Sequence, residues 1–312
     1  MDAYEEVGKI EVELYSMKHL YIIGNGFDIF TGLKTSYQDF RRWLQNHYSF
    51  VYETFEAVYG IQNIEWWNDF EVSLGKLHIK QYVLKNTPPE KPLDEIVKEI
   101  EEYHKKHKDD PQPLPSLYKN SPCADRLNGL FDILNYCMRK WINSMTSITA
   151  PKYIKIEKEN SIFLNFNYTM TLELLYKIPK EQILHIHGDA YNSEKLVFGH
   201  NTYKGGNFYP YDGEKVADVL EHYHKNPYEH IFKHEDFFAK IKDVEIVHVL
   251  GLSFSPVDIE YLEWICREVP NNAKWEISWY TEEDKKRIYL FVQKNKIKNR
   301  SRLIQLDPID QD

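Results

Sequence analysis

Five short segments of the 312-residue chain hold most of the residue types that do chemistry. They are Gly24-Asn25-Gly26-Phe27-Asp28, Asn165-Phe166-Asn167-Tyr168-Thr169, His185-Ile186-His187-Gly188, Gly199-His200-Asn201 and Gly251-Leu252-Ser253. Each follows an apolar run, and that shared placement says more than any single motif. Glycines at 24 and 26 let a backbone approach a pyrophosphate, and a helix starting near Asp28 offers unpaired N–H groups to it. The turn is therefore expected to grip the phosphates of a nucleotide. The dehydrogenase pattern G-x-G-x-x-G is incomplete, because Ile29 stands where the third glycine belongs. Asp28 disfavours a nearby anion and is placed to cap the helix.

His185 and His187 share a face if one strand carries both. Three readings stay open for them: metal ligands with His200 as a third, a general base, or polar residues at a strand end. Asp189 is the near carboxylate and no cysteine is close, so the site is read without a metal. Ser253 lacks the closing glycine of a G-x-S-x-G nucleophile elbow. His222, His224, His230 and His234 fall in a helical stretch and read as surface residues.

These residues need strands to carry them. Leu20–Ile23, Ser161–Leu164, Ile183–His187, Leu196–Phe198 and Val244–Leu250 are apolar runs that end in glycine or polar residues. Trp275, Ile277 and Trp279 alternate with polar neighbours, and a last strand is expected near 303–306. Between them lie helical patterns: from Asp28, over 93–107, over 213–241 and from 282. The clearest covers 124–146, where Leu127, Leu130, Phe131, Leu134, Met138 and Trp141 recur at helical spacing. Trp66, Trp67, Phe70 and Leu74 also fit that spacing, while Pro88-Pro89 and Pro111 to Pro115 are breaks. Strands alternating with helices predict an α/β fold with a mainly parallel sheet covered on both faces. Residues 1–17 form an N-terminal extension, 18–312 the Rossmann-like domain, and about 36–150 a large helical insertion. In such sheets ligands sit beyond the carboxyl ends of the strands.

Composition narrows the function. Hydrophobic residues make up 42% and charged residues 28%, which are globular values. The formal charge of −9 gives no general pull toward nucleic acid. The run from Lys285 to Arg302 reads as a solvated helix face. Cys123, Cys137 and Cys266 are far apart, which excludes a zinc ribbon and argues against a disulfide framework. The acidic start lacks a signal-peptide pattern, and no apolar stretch is long enough to span a bilayer. A cytoplasmic protein without membrane contact is expected.

The ordered segments resemble the sirtuin-like NAD-binding superfamily. Gly24, Gly26 and Gly32 match its glycine pattern, Asn167 its T-Q-N-I-D asparagine, His187-Gly188 its catalytic histidine, and Gly251-Leu252-Ser253-Phe254 its late G-T-S-L turn. A nearer likeness is to the bacteriophage abortive infection AbiH family. It rests on Ile22 to Asp28, Gly32-Leu33, Thr35-Ser36-Tyr37, Phe40, Trp67 to Glu71, and the Gly-x-Ser turn followed by Asp258. The chain departs from the sirtuin pattern at Lys34, at Asp28 in place of serine and at Thr169 in place of aspartate, and it lacks the zinc ribbon. The resemblance thus implies NAD cleavage rather than protein deacylation, with NAD as substrate and not as cofactor. It implies Asn167 and His187 as the catalytic pair. Gly24, Asn25, Gly26, Phe27, Asp28, Gly251 and Ser253 would bind the nucleotide. Partners implied are a phage-derived trigger or a defence-system protein, and a homo-oligomer. Two other readings remain: a nucleotide sensor without turnover, and a metal-dependent phosphoesterase on His185, His187 and His200.

Overall fold

The computed structural model describes residues 17–86, 121–145, 151–193, 195–202 and 211–309. The expected helix at 93–107 and the proline breaks at 88–89 and 111–115 lie outside them, as do residues 1–16. Six strands form one sheet: β1 (His19–Ile23), β2 (Ser161–Asn165), β3 (Ile183–His185), β4 (Ile246–Leu250), β5 (Lys274–Ser278) and β6 (Ser301–Ile304). Their order is β3-β2-β1-β4-β5-β6, and every pairing is parallel. The α/β class and the parallel sheet expected from the strand pattern are therefore present. The order reverses between β1 and β4, the place where doubly wound sheets open a crevice for ligands.

The middle strands are apolar on both faces because both are covered. Leu20, Ile22, Leu164, Val247, Val249, Trp275 and Ile277 pack on one side with Tyr261, Ile265, Ile288 and Phe291. The last four belong to the helices Ile259–Glu268 and Glu282–Lys294. On the other side Tyr21, Ile23, Phe163 and Leu250 pack with Phe27, Leu172 and Tyr176. The first helix, α1 (Asn25–Thr31), follows β1 directly.

A second core lies beside the sheet. It joins α2 (Tyr37–His47), α3 (Ser49–Tyr59), α4 (Phe70–Leu74), α5 (Ile79–Asn86) and α6 (Pro122–Asn143). Ser36 and Asp39 form a capping box at the start of α2. Ser121 caps α6, Pro122 occupies its first turn, and the apolar stripe read from the sequence is its buried face. Trp66 and Trp67 lie in a 3-10 turn, Ile64–Asp69, which leads into α4. Ala190, Leu196, Phe198, Val216 and Leu220 complete this core, so a later stretch of the chain returns to it. A short α7 (Thr171–Leu174) follows β2, and the expected helical stretch 213–241 divides into α8 (Tyr211–His222), α9 (Pro227–Lys233) and α10 (Glu235–Ala239).

Two strand expectations need correction. Leu196–Phe198 is extended but joins no strand. The Asn135 side chain takes up both the N–H of Leu196 (3.2 Å) and its C=O (2.7 Å), and Val197 N–H donates to His187 C=O (2.9 Å). The strand at 183 ends at His185, where Gly188 N–H turns back onto His185 C=O (3.1 Å). Among the described residues no helix is long and apolar enough to cross a membrane.

Candidate functional site

The loops after β1 and β4 meet backbone to backbone. Gly24 N–H donates to Leu250 C=O (2.9 Å) and Gly26 N–H to Gly251 C=O (2.7 Å). A Cβ on Gly24 would lie 2.6 Å from Leu252 Cα, and one on Gly251 would lie 2.0 Å from Phe27 N. Gly251 also has φ +68°, a conformation glycine adopts without strain. Glycine is required here for the two loops to touch. The same closeness changes the reading of the first turn. Gly26 N–H is spent on Gly251, Phe27 N–H on Gly24, and the Asn25 amide on Thr35 C=O (2.8 Å).

Asp28 does not cap α1. The cap is Gly24, which makes no side-chain bond, and Asp28 sits inside the first turn at 1% exposure. Its Oδ2 accepts from Thr169 Oγ1 at 2.6 Å, while Oδ1 has no hydrogen-bond partner among the described residues. Burial raises its carboxyl to about 6, against the pull of hydrogen bonds from Thr169, Thr171 and Asn167. The two departures from the sirtuin-like pattern thus face each other: a carboxylate and a hydroxyl, with their positions exchanged.

Asn167 follows β2. Its backbone N–H donates to Asn165 Oδ1 (3.0 Å) and its side-chain amide to Gly24 C=O (3.1 Å). It is buried with the first turn, so β1 and β2 deliver these two sequence-predicted segments to one place. His187 lies beyond the end of β3, 2% exposed, with Phe166 edge-on at 5.2 Å, Tyr261 at 5.8 Å and His230 at 6.1 Å between ring centroids. Its Nε2 has no partner among the described residues. Burial first, then the charges of Lys225 and His230, push its pKa well below the usual histidine range, although the Phe166 main chain favours the charged form. The ring is therefore neutral at pH 7.

His185 and His187 part company because the strand ends between them. His185 Nε2 pairs with Glu173 Oε1 at 2.8 Å, and its Nδ1 lies 3.2 Å from Asn167 C=O. Burial works against its charge, but Glu173 wins and its pKa is raised. His200 is fully buried, with Nε2 on Leu220 C=O (2.9 Å) and Nδ1 accepting from Thr202 N–H (3.1 Å). The three histidines have separate employments, and among the described residues no group of three His, Cys, Asp or Glu could hold a metal ion. Ser253 is exposed, and its carbonyl lies 3.4 Å from Arg287 Nη1.

Beside His187 lies a buried charge cluster that local sequence patterns do not announce. Lys225, 4% exposed, precedes α9. Its ammonium donates to Glu71 Oε2 at 2.6 Å and stands 3.8 Å from Asp258 Oδ1. Glu71 lies in α4, and its Oε1 accepts from Tyr37 (2.7 Å) and lies 3.1 Å from the Tyr168 hydroxyl. Burial, then Glu71, raises both phenols well above 10, so they remain donors. Asp258 precedes α11 (Ile259–Glu268). Burial raises its carboxyl to about 6 against the attraction of Lys225. His230, expected on the surface, is half-buried on α9 and its Nδ1 lies 2.8 Å from the Tyr261 hydroxyl. Tyr37, Glu71 and Asp258 fall within the segments that carried the family resemblance, and Tyr168 within the strand-end segment after β2; those were the sequence signals pointing to them. Lys225 had none.

The arrangement thus sets a neutral histidine, an asparagine and a buried ion cluster at the carboxyl ends of β1 to β4, capped by α2 and α4. No curated protein matches the chain. The family model described as bacteriophage abortive infection AbiH matches residues 20–279, a span that holds every residue of this site. The chain belongs to the bacteriophage abortive infection AbiH family, and so to the proteins of phage abortive infection defence.

Proposed function

We propose that the site hydrolyses NAD at the bond between nicotinamide and ribose, within a sirtuin-like pocket. The observation that carries this reading is His187: its ring is neutral and its buried Nε2 has no partner among the described residues, so the lone pair is free to face a water and take its proton, although burial and Lys225 make the ring a weaker base than a free imidazole. Nicotinamide leaves without help from an acid, because the electron pair of the breaking C–N bond neutralises its cationic ring. What remains for the protein is to stabilise an oxocarbenium-like ribose and to supply water. Asn167 gives its amide N–H to Gly24, so its carbonyl oxygen is the end that orients the water. The water oxygen bonds to the ribose C1′, and its proton passes to His187 Nε2. The products are nicotinamide and ADP-ribose, with the proton later released from the histidine. Two carboxylates around one ammonium, Glu71, Asp258 and Lys225, leave net negative charge near the developing cation.

The test is incubation of purified protein with NAD and separation of the products. Nicotinamide and ADP-ribose are expected in equal amounts. His187→Ala and Asn167→Ala are each expected to lower the rate about 10²–10⁴-fold without loss of fold. NAD that binds but is not cut under any activating condition would overturn hydrolysis. That result would leave the second reading, a nucleotide sensor, which is favoured by the buried Asp28 carboxylate standing where the sirtuin-like pattern has serine.

A further inference from the structure

We propose that Lys225 and Asp258 together bind a hydroxyl of the ribose next to the bond that is cut, and so select a ribosylated nucleotide over the bare one. This rests on the nucleotide reading above and names the part of the ligand that the ion cluster recognises.

The geometry is that of an unfinished pair. The 3.8 Å between Lys225 Nζ and Asp258 Oδ1 is too long for a hydrogen bond. The ammonium has three N–H donors, and among the described residues it makes one hydrogen bond, to Glu71. Asp258 Oδ1 is buried and has no hydrogen-bond partner among the described residues. Glu71 is the more fully used carboxylate, since Tyr37, Tyr168 and Lys225 already take three of its roughly four acceptor sites. A buried donor and a buried acceptor separated by this distance match a group that accepts on one side and donates on the other. A hydroxyl does both at one oxygen. A phosphate accepts only and would meet Asp258 with like charge. An ammonium donates only and would meet Lys225 the same way.

His187 supplies the second observation. Its Nε2 is another buried atom without a partner among the described residues, and its ring packs on Tyr261 of α11, the helix that Asp258 precedes, and on His230 of α9, the helix that Lys225 precedes. The hydroxyl site and the proton acceptor therefore lie at the starts of the same two helices. A sugar held by Lys225 and Asp258 would bring its anomeric carbon toward His187. A buried site that hydrogen-bonds a hydroxyl rejects a ligand lacking it, since both protein groups are then left unpaired.

Calorimetry with ADP-ribose and ADP on the unmodified full chain tests this directly. ADP-ribose carries the second ribose, on the terminal phosphate, and ADP has only that of its adenosine. ADP-ribose is expected to bind roughly tenfold or more tightly, the scale of one or two buried hydrogen bonds. Asp258→Ala keeps the Lys225–Glu71 pair and is expected to abolish that preference, leaving ADP affinity within about twofold. Asp258→Asn, whose carbonyl still accepts, is expected to restore part of it. Equal affinity of the unmodified chain for ADP-ribose and ADP would overturn the hydroxyl site while leaving nucleotide binding intact. A preference that survives in Asp258→Ala would overturn it too. Failure of NAD, ADP-ribose and ADP all to bind would overturn the nucleotide reading itself, and this proposal with it.

Discussion

The two contacts that join the halves of this site are built in opposite ways. Between the β1 and β4 loops, main chain meets main chain, with glycine at 24, 26 and 251. Between the sheet and the helical unit, side chains meet across a charged cluster: Glu71 and Tyr37 from one, Tyr168, Lys225 and Asp258 from the other. The first contact fixes position and tolerates no added atom. The second fixes charge and proton placement, and it responds to the chemistry of each member. A site assembled this way separates what must be rigid from what must be tuned.

Several changes would break or sharpen this contrast. The largest effect is expected for Gly251→Ala, which puts a methyl 2.0 Å from Phe27 N at a positive φ. A loss of more than about 3 kcal/mol is expected, read as failure to fold or a collapse of the denaturation midpoint. Near-normal stability would show that the loops can part. Lys225→Met comes next. It strands Glu71 and Asp258 without their cation and is expected to cost roughly 3–5 kcal/mol. The double variant with Glu71→Gln is expected to recover much of that in chemical denaturation, since the buried charge goes too. Simple additivity of the two would argue that they do not act as a pair.

Asp28→Asn is a smaller and pH-dependent case. The folded protein keeps the Asp28 proton up to about pH 6, whereas the free carboxyl loses it near its ordinary 3.8. In that window the native state binds more protons than the unfolded one, so stability falls as pH rises through it. The variant lacks this loss. Its stability relative to the parent is therefore expected to rise between about pH 4 and pH 6, by something on the order of 2 kcal/mol. Asp258 titrates in a similar range in both proteins and cancels in the difference. A flat difference across pH would mean that Asp28 is not held protonated. Ser253→Ala is the smallest. The side chain is exposed, and a change within about 0.5 kcal/mol is expected in thermal melts. A marked loss of nucleotide affinity in that variant would give Ser253 the binding role that its exposed position does not by itself supply.

Much of the framework was legible locally. Apolar runs ending in glycine or polar residues read correctly as strands for β1, β2 and β4, and the alternation of Trp275 and Ile277 with polar neighbours did so for β5, because the sheet faces that are covered select apolar residues. The stripe over 124–146 read as a helix because its period is 3.6, and α6 spans Pro122–Asn143. Leu196–Phe198 misled because an apolar run reports burial, and its backbone found Asn135 instead of a strand. Asp28 misled because the usual cap geometry was read at a residue already inside the helix.

What the sequence by itself determined is the set of strand-end segments, the α/β class and the family to which they point. What only the tertiary structure decided is who faces whom. Lys225 and Glu71 are 154 positions apart, and each looks locally like a solvated charge. His230 looks like a surface residue for the same reason. The periods of strands and helices are local properties of the chain, so they can be read from it. Pairing between distant side chains depends on how the sheet brings loops together, and a linear pattern does not carry that.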